Sequence, residues 1–137
     1  MAKIEYSSVA QFEKEYNFVD AVSESNVING AWGTITAGKF VPGAGTYAVM
    51  QIEYGDNAGK EDYVIPAGEH LRLLDLTKVG SVTGNKLVRL IGTVPAGVAV
   101  GDKVKVDGYG VITETSGVYD VTRILNGGIE ISLDTGN

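Results

Sequence analysis

The chain has no cysteine and one histidine, His70, among its 137 residues. The absence of cysteine excludes disulfide bonds, thiol nucleophiles and cysteine-ligated metal sites. A single imidazole also excludes zinc sites that need two or more histidines. Nucleophilic catalysis would require a serine or threonine with His70 and a carboxylate, and the Gly-x-Ser-x-Gly sequence of a nucleophile elbow does not occur. We therefore predict that the protein is not an enzyme, that no residue is catalytic, and that His70 is an ordinary strand residue.

Positive charge is scarce and dispersed. Eleven basic residues stand against seventeen acidic ones, for a net charge of −6, and the lysines and arginines occur singly along the chain. This distribution argues against a surface that follows a phosphate backbone, so we predict no nucleic-acid partner. Asp56, Asn57, Glu61 and Asp62 lie close enough in sequence to surround a calcium ion, but the EF-hand spacing is missing. A solvated loop is the simpler interpretation of residues 55–61, and we predict neither a metal site nor a cofactor.

Long apolar runs are also missing. No segment approaches the 18 apolar residues that a transmembrane helix needs, and the first residues lack the apolar run of a signal peptide. We predict no membrane partner and expect the protein to stay in the cytosol or to be assembled there into something larger. The length suits a single domain, 1–137, with an ordinary hydrophobic core.

Proline is rare and always occupies the same local context. The three prolines occur in Val41-Pro42-Gly43, Ile65-Pro66-Ala67-Gly68 and Val94-Pro95-Ala96-Gly97. A β-branched residue before proline favours extended backbone, proline fixes φ, and glycine accepts positive φ. Each site is therefore predicted to end a strand in a tight turn, and the 19 glycines agree with many short strands.

The N-terminal part, residues 1–22, is predicted to contain a strand and a helix. Residues 2–6 alternate in polarity, as a strand does. Ser8 and Gln11 form a capping-box pattern, and apolar residues at helical spacing predict a helix from about Val9 to Asp20.

The β core is predicted to occupy residues 29–133. Residues 46–54 alternate as a strand, and two hairpins flank Asp107-Gly108 and Asn126-Gly127, whose residue types favour positive φ. With strands at 70–74 and 86–94, the chain contains about eight to ten short strands, a pattern typical of a barrel or sandwich. The predicted fold is mainly β: a small β-barrel or β-clip-like sandwich with one N-terminal helix.

Two features are candidate partner-binding elements. The N-terminal strand has no hairpin partner in the sequence, so it pairs with an edge of its own sheet, of a neighbouring subunit or of another protein. Trp32, the only tryptophan, is either an anchor of the core or a buried hot spot of an interface. The candidate binding residues are Ala2, Lys3, Ile4, Glu5, Tyr6 and Trp32.

The segment 94–108 carries a family resemblance. Its Pro95-Ala96-Gly97 corner leads into Gly101-Asp102-Lys103-Val104 and a hairpin, and residues 117–133 follow as a closing pair of strands. This arrangement resembles the head decoration proteins of tailed bacteriophages, which stabilise the capsid. The corner at Ile65-Pro66-Ala67-Gly68-Glu69 looks like that of the β-clip fold, which the family shares with SAF modules. Residues 63–133 carry the resemblance, whereas the predicted helix departs from the flexible N-terminal arm of family members.

The resemblance implies a structural virion protein. Such a protein is a β-rich subunit, commonly a homotrimer, that binds the major capsid protein on the outside of the shell. A neighbouring possibility is an attachment protein of the phage tail or of a head fibre. The alternative from a different class is a β-rich module that binds a carbohydrate or small ligand, with Tyr47, Tyr63, Tyr109 and Tyr119 as stacking platforms.

Overall fold

The computed structural model describes residues 2–7, 17–50, 64–113 and 117–134. These residues form thirteen strands and a single 3-10 turn, Leu76–Lys78. In chain order the strands are β1 Ala2–Tyr6, β2 Phe18–Ser23, β3 Val27–Ile28, β4 Trp32–Thr36, β5 Lys39–Pro42, β6 Tyr47–Val49, β7 Val64–Ile65, β8 His70–Asp75, β9 Leu87–Gly92, β10 Lys103–Val106, β11 Ile112–Thr113, β12 Tyr119–Leu125 and β13 Gly128–Ser132. The predicted mainly β fold with a small barrel is confirmed.

Five strands close into a barrel in the order β2-β5-β4-β6-β8. Closure depends on a parallel pair, β2 with β5, while the other pairs of the barrel are antiparallel. The short pair β3 and β7 forms a separate two-stranded sheet. A closed barrel has no edge strand of its own to which a strand of another protein could be added.

The second layer is a six-stranded sheet in the order β1-β9-β13-β12-β10-β11. Its strands pair antiparallel throughout, and a register shift interrupts β12 between Val121 and Arg123. Strand β1 therefore lies at one end of this sheet and strand β11 at the other. We call the outer side of β1 the β1 edge.

Two hydrophobic cores fill the molecule. One occupies the barrel interior and contains Phe40, Leu71 and Leu73. The other lies between the barrel and the six-stranded sheet, where Trp32, Ala48 and Leu74 of the barrel join buried residues of the sheet. Neighbouring strand residues point to opposite faces, so Leu73 and Leu74 serve different cores. Strands buried on both faces lose the polar alternation that marks a half-buried strand.

The proline corners have two geometries. At Pro66 and Pro95 the proline carbonyl accepts a hydrogen bond from the amide three residues later, at 3.3 and 3.4 Å. The intervening glycines, Gly68 and Gly97, have φ of 90° and 85°, as predicted for tight turns. Pro42 differs, because it ends β5 and the amide of Gly43 donates back to the carbonyl of Trp32 at 2.8 Å.

The predicted helix is wrong at its C-terminal end. Phe18, Val19 and Asp20 belong to β2, which pairs with β8 in antiparallel register. Phe18 packs on the core between the layers and Val19 on the core of the barrel, so both faces of the strand are apolar. That pattern imitates helical spacing when it is read from sequence alone. Residues 8–16, where the rest of the helix is predicted, lie outside the described residues, as do residues 51–63.

The hairpin predicted at Asn126-Gly127 is confirmed, with Gly127 at a φ of 87°. The hairpin at Asp107-Gly108 forms, but with a longer connection, and within the described residues its second strand is Ile112–Thr113. The glycine with positive φ in this connection is Gly110, at 72°. Gly108 is not among the glycines with positive φ.

Candidate functional site

The candidate strand Ala2–Tyr6 pairs within its own subunit. It forms an antiparallel ladder with β9 that runs without a break from Ala2 opposite Gly92 to Tyr6 opposite Val88. Ile4 is buried in the core between the layers, and beyond the strand Ser7 Oγ accepts a hydrogen bond from Asn85 Nδ2 at 3.1 Å. Of the two pairings open in the sequence, own sheet or foreign edge, the first is observed. Among the described residues β9 is the only strand paired with β1, so the β1 edge is the terminal edge of the sheet.

The face of the sheet opposite the buried Ile4 carries a row of alternating charges next to this edge. Strand register places Glu5 opposite Arg89, Arg89 opposite Glu130, and Glu130 opposite Arg123. Glu130 is only 8% exposed; its carboxylate lies 3.9 Å from Arg89 Nε and accepts a hydrogen bond from Thr122 Oγ1 at 3.0 Å. Opposite charges on neighbouring strands attract, so the row stabilises this register. Residues of four different strands form it, and no local sequence motif reports it.

Trp32 lies at the other side of the molecule, between the layers. It is 1% exposed, and its ring meets the ring of Tyr119 edge to face, with centroids 5.3 Å apart. Its indole Nε1 is buried and has no hydrogen-bond acceptor among the described residues. Burial raises the pKa of the Tyr119 phenol above its ordinary value, because the ionised form is poorly solvated there. The two rings line a pocket of about 440 Å³, which we call the Trp32 pocket.

The Trp32 pocket forms where a barrel loop meets the β10–β11 hairpin. We call this region, the contact between residues 42–46 and residues 105–109 together with the Trp32 pocket, the seam. The amide of Trp32 donates to the carbonyl of Asp107 at 3.1 Å. A Cβ on Gly108 would lie 2.6 Å from the amide nitrogen of Gly43, so only glycine allows the two chains to approach this closely. The seam thus fixes the hairpin against the first proline corner.

Exposed apolar side chains accompany the seam. Tyr109 is 76% exposed and Val118 is 54% exposed, and Val111 in the same hairpin is also exposed. The carboxylate of Asp107 accepts hydrogen bonds from the amides of Tyr109 and Val111, at 2.8 and 3.0 Å, which fixes the backbone that displays them. Exposed apolar residues held in this way are typical of surfaces that bind other proteins.

A second pocket, of about 600 Å³, lies beside the first. It is lined by Ser25, Asn26, Pro42, Gly43, Asp107, Gly108 and Tyr109. Tyr109 therefore lines one pocket and Tyr119 the other, whereas Tyr47 packs partly buried on the barrel core. The tyrosines named as stacking platforms do not converge on one concave surface within the described residues, and Tyr63 lies outside them.

His70 lies away from both pockets. Its Nδ1 is 2.9 Å from Asp20 Oδ2, but the two side chains are 74% and 68% exposed on the outside of the barrel. The described residues contain no group of three or more His, Cys, Asp and Glu that could hold a metal ion. The carboxylates at 56–62 lie outside those residues. None of the helical segments in the described part of the chain is long and apolar enough to cross a membrane.

Comparison with known proteins adds no relative. The chain matches no protein-family model, and no curated protein or solved structure is detectably similar to it. Its function must therefore be argued from its own surfaces.

The sequence predicts Trp32 and the N-terminal strand as binding elements. It does not predict the other residues of the seam. The sequence suggests Tyr119 as a stacking platform for a ligand, whereas in the structure its ring is partly buried against Trp32. Val118 and Lys105, which also line the Trp32 pocket, carry no local signal. Their grouping depends on the register of β10 with β12, in which Val104 lies opposite Tyr119.

Proposed function

We propose that this protein is a structural component of a bacteriophage particle that binds the outer surface of the major capsid protein shell and stabilises it. The observation that carries the proposal is the seam: a pocket lined by two aromatic rings and bordered by exposed apolar side chains. Interfaces depend on such pockets, in which a few buried contacts supply most of the binding energy. The resemblance of residues 63–133 to capsid decoration proteins supports the choice of partner and the homotrimeric assembly.

In this proposal a capsid side chain enters the Trp32 pocket. The walls are largely apolar, with Val106 and Val118 beside the two aromatic rings, and Lys105 contributes the only basic side chain among the lining residues. The inserted group is therefore apolar. Many symmetric copies add avidity, so each contact need only be of ordinary size, about 800 Å² per partner.

The test is co-sedimentation with undecorated shells assembled from the major capsid protein of the same phage. The wild-type protein should sediment with the shells, and Val118→Asp should weaken binding by roughly tenfold or more, because a carboxylate at the pocket mouth would be desolvated. The matched control is Val82→Asp, since Val82 is 66% exposed and is not among the residues that line either pocket. It should bind as wild type does. Failure of the wild-type protein to sediment, or equal binding by both variants, contradicts the proposal.

The pocket volume favours one second candidate, a small-ligand module, because ligand sites commonly measure about 300–1,000 Å³. Trp32 is the only tryptophan, so its fluorescence reports occupancy of this pocket directly. Titration with simple sugars should leave the emission unchanged if the pocket serves a capsid contact. A saturable change that Val118→Asp abolishes would favour the ligand module instead.

A further inference from the structure

The chain contains two Asn-Gly dipeptides, Asn29-Gly30 and Asn126-Gly127. Asparagine before glycine is chemically labile, because glycine has no Cβ to keep its own amide nitrogen away from the asparagine side chain. The nitrogen can attack the carbon of the side-chain amide and close a five-membered ring. The two dipeptides have the same local chemistry, so the fold decides which of them reacts.

The fold protects Asn29-Gly30. Asn29 is only 7% exposed, and the amide of Gly30 donates a hydrogen bond to the carbonyl of Val49 at 3.0 Å. The nitrogen must give up this hydrogen bond before it can attack the side chain. Asn29 therefore reacts only in states in which this part of the barrel has opened locally.

Asn126-Gly127 lies at the tip of a hairpin. The ladder between β12 and β13 ends at the pair Leu125 and Gly128, so Asn126 and Gly127 form the two-residue loop beyond it. Both loop residues are exposed. Within the described residues the carbonyl of Gly127 accepts a hydrogen bond from the amide of Gly92 at 2.8 Å, but the amide of Gly127 donates none. The side chain and the nitrogen that must meet are thus both accessible without any opening of the sheet.

We propose that Asn126 is a site of spontaneous modification, at which the folded protein converts asparagine to aspartate and isoaspartate while Asn29 is preserved. The nitrogen of Gly127 attacks Cγ of Asn126, so that a new C–N bond forms and the bond to the side-chain nitrogen breaks. That nitrogen leaves as ammonia and carries away the proton of the Gly127 amide. Water then opens the ring at either of its two carbonyls, so the reaction needs no oxidant, reductant or other protein.

The two products differ in their effect on the hairpin. Each adds one negative charge to a chain whose net charge is −6. Isoaspartate also routes the main chain through the side-chain methylene, which lengthens the two-residue loop. Loop length sets the register of a hairpin, and β13 carries the fully buried Ile129 and Ile131. We therefore expect isoaspartate to destabilise the sheet more than aspartate does.

The test is peptide mapping by mass spectrometry after the full chain has been incubated at mildly alkaline pH. In the folded protein Asn126 should convert at least roughly tenfold faster than Asn29, because Asn29 reacts only after local opening. In urea the two sites should convert at similar rates, since each is an asparagine followed by glycine. The matched variant is Asn126→Gln, whose longer side chain would have to close a six-membered ring. Its peptide containing residue 126 should keep its mass.

The proposal is overturned if Asn126 stays intact in the folded protein while it converts in urea, or if Asn29 converts as fast as Asn126 in the folded protein. The effect on the sheet has its own control, Asn126→Asp, which carries the added charge in a loop of normal length. The isoaspartate form should have a lower urea midpoint than this variant, and equal midpoints would contradict the expected strain. Asn126 lines neither pocket, so the modified protein should bind shells as the unmodified protein does, and the result does not depend on the proposed function.

Discussion

The two ends of the six-stranded sheet are held in different ways. At one end, β1 is held by a continuous main-chain ladder to β9 and by one deeply buried side chain, Ile4. At the other end, β10 pairs with β11 at two positions among the described residues, and the hairpin is also held by its contact with the barrel at the seam. The first end depends on pairing along a whole strand, and the second on a few main-chain contacts and on packing against the barrel.

The difference affects what each end presents to a partner. Within the described part of the chain β1 is a terminal strand, and terminal strands present main-chain donors and acceptors. The seam instead presents apolar side chains and a pocket, which suit the insertion of another protein's side chain. The two kinds of surface lie at opposite ends of the six-stranded sheet, so a contact at one end need not block the other.

The largest expected effect tests whether packing governs the seam. Trp32→Ala should lower the free energy of unfolding by about 3–5 kcal/mol, because it removes a large buried ring and leaves a cavity beside Tyr119. Tyr109→Ala, at the exposed ring of the same end, should change it by less than about 0.5 kcal/mol. Urea denaturation followed by far-UV circular dichroism measures both. Equal losses would mean that the seam does not divide into a buried anchor and an exposed contact surface.

A smaller effect is expected from the charge row beside β1. Arg89→Met should cost roughly 1–3 kcal/mol, because it leaves the buried Glu130 carboxylate with Thr122 as its remaining side-chain partner in the described structure. The control is Lys103→Met, which removes the exposed ion pair between Lys103 and Asp120, 2.8 Å apart, and should cost at most about 1 kcal/mol. Urea midpoints give the comparison. If the two variants lose the same stability, the row contributes no more than an ordinary surface pair.

The parts of the fold predicted from sequence are those fixed by local chemistry. The Asn126-Gly127 hairpin and the turns after Pro66 and Pro95 need positive φ at a glycine. Because the sequence has a glycine in each of these turns, it predicts all three. The Asp107-Gly108 turn was predicted for the wrong reason. Gly108 is required because the backbone of Gly43 lies against it, and contacts between distant segments leave no local signal.

The parts that could not be predicted depend on distant pairing. Strand β2 has apolar residues on both faces because one face fills the barrel and the other packs between the layers. Helical and strand periods cannot be told apart for such a short apolar run. The same limit applies to the candidate site. The sequence identifies Trp32 as an anchor, but only the pairing of β10 with β12 brings Tyr119 to it.

The smallest effect tests how well the phenol of Tyr119 is solvated in the folded protein. Its pKa is raised by burial, so the folded state holds the phenol proton to higher pH than the unfolded state does. The unfolded chain begins to release this proton near about pH 10, and from there the free energy of unfolding falls as pH rises. Tyr119→Phe keeps the ring against Trp32 but cannot ionise, so it should lose less stability than wild type between about pH 9 and about pH 11. The two proteins differ only in this phenol, so the difference between their urea midpoints isolates Tyr119. Equal losses would show that the phenol is as well solvated in the fold as in the unfolded chain, and that the Trp32 pocket is open to water at its aromatic floor.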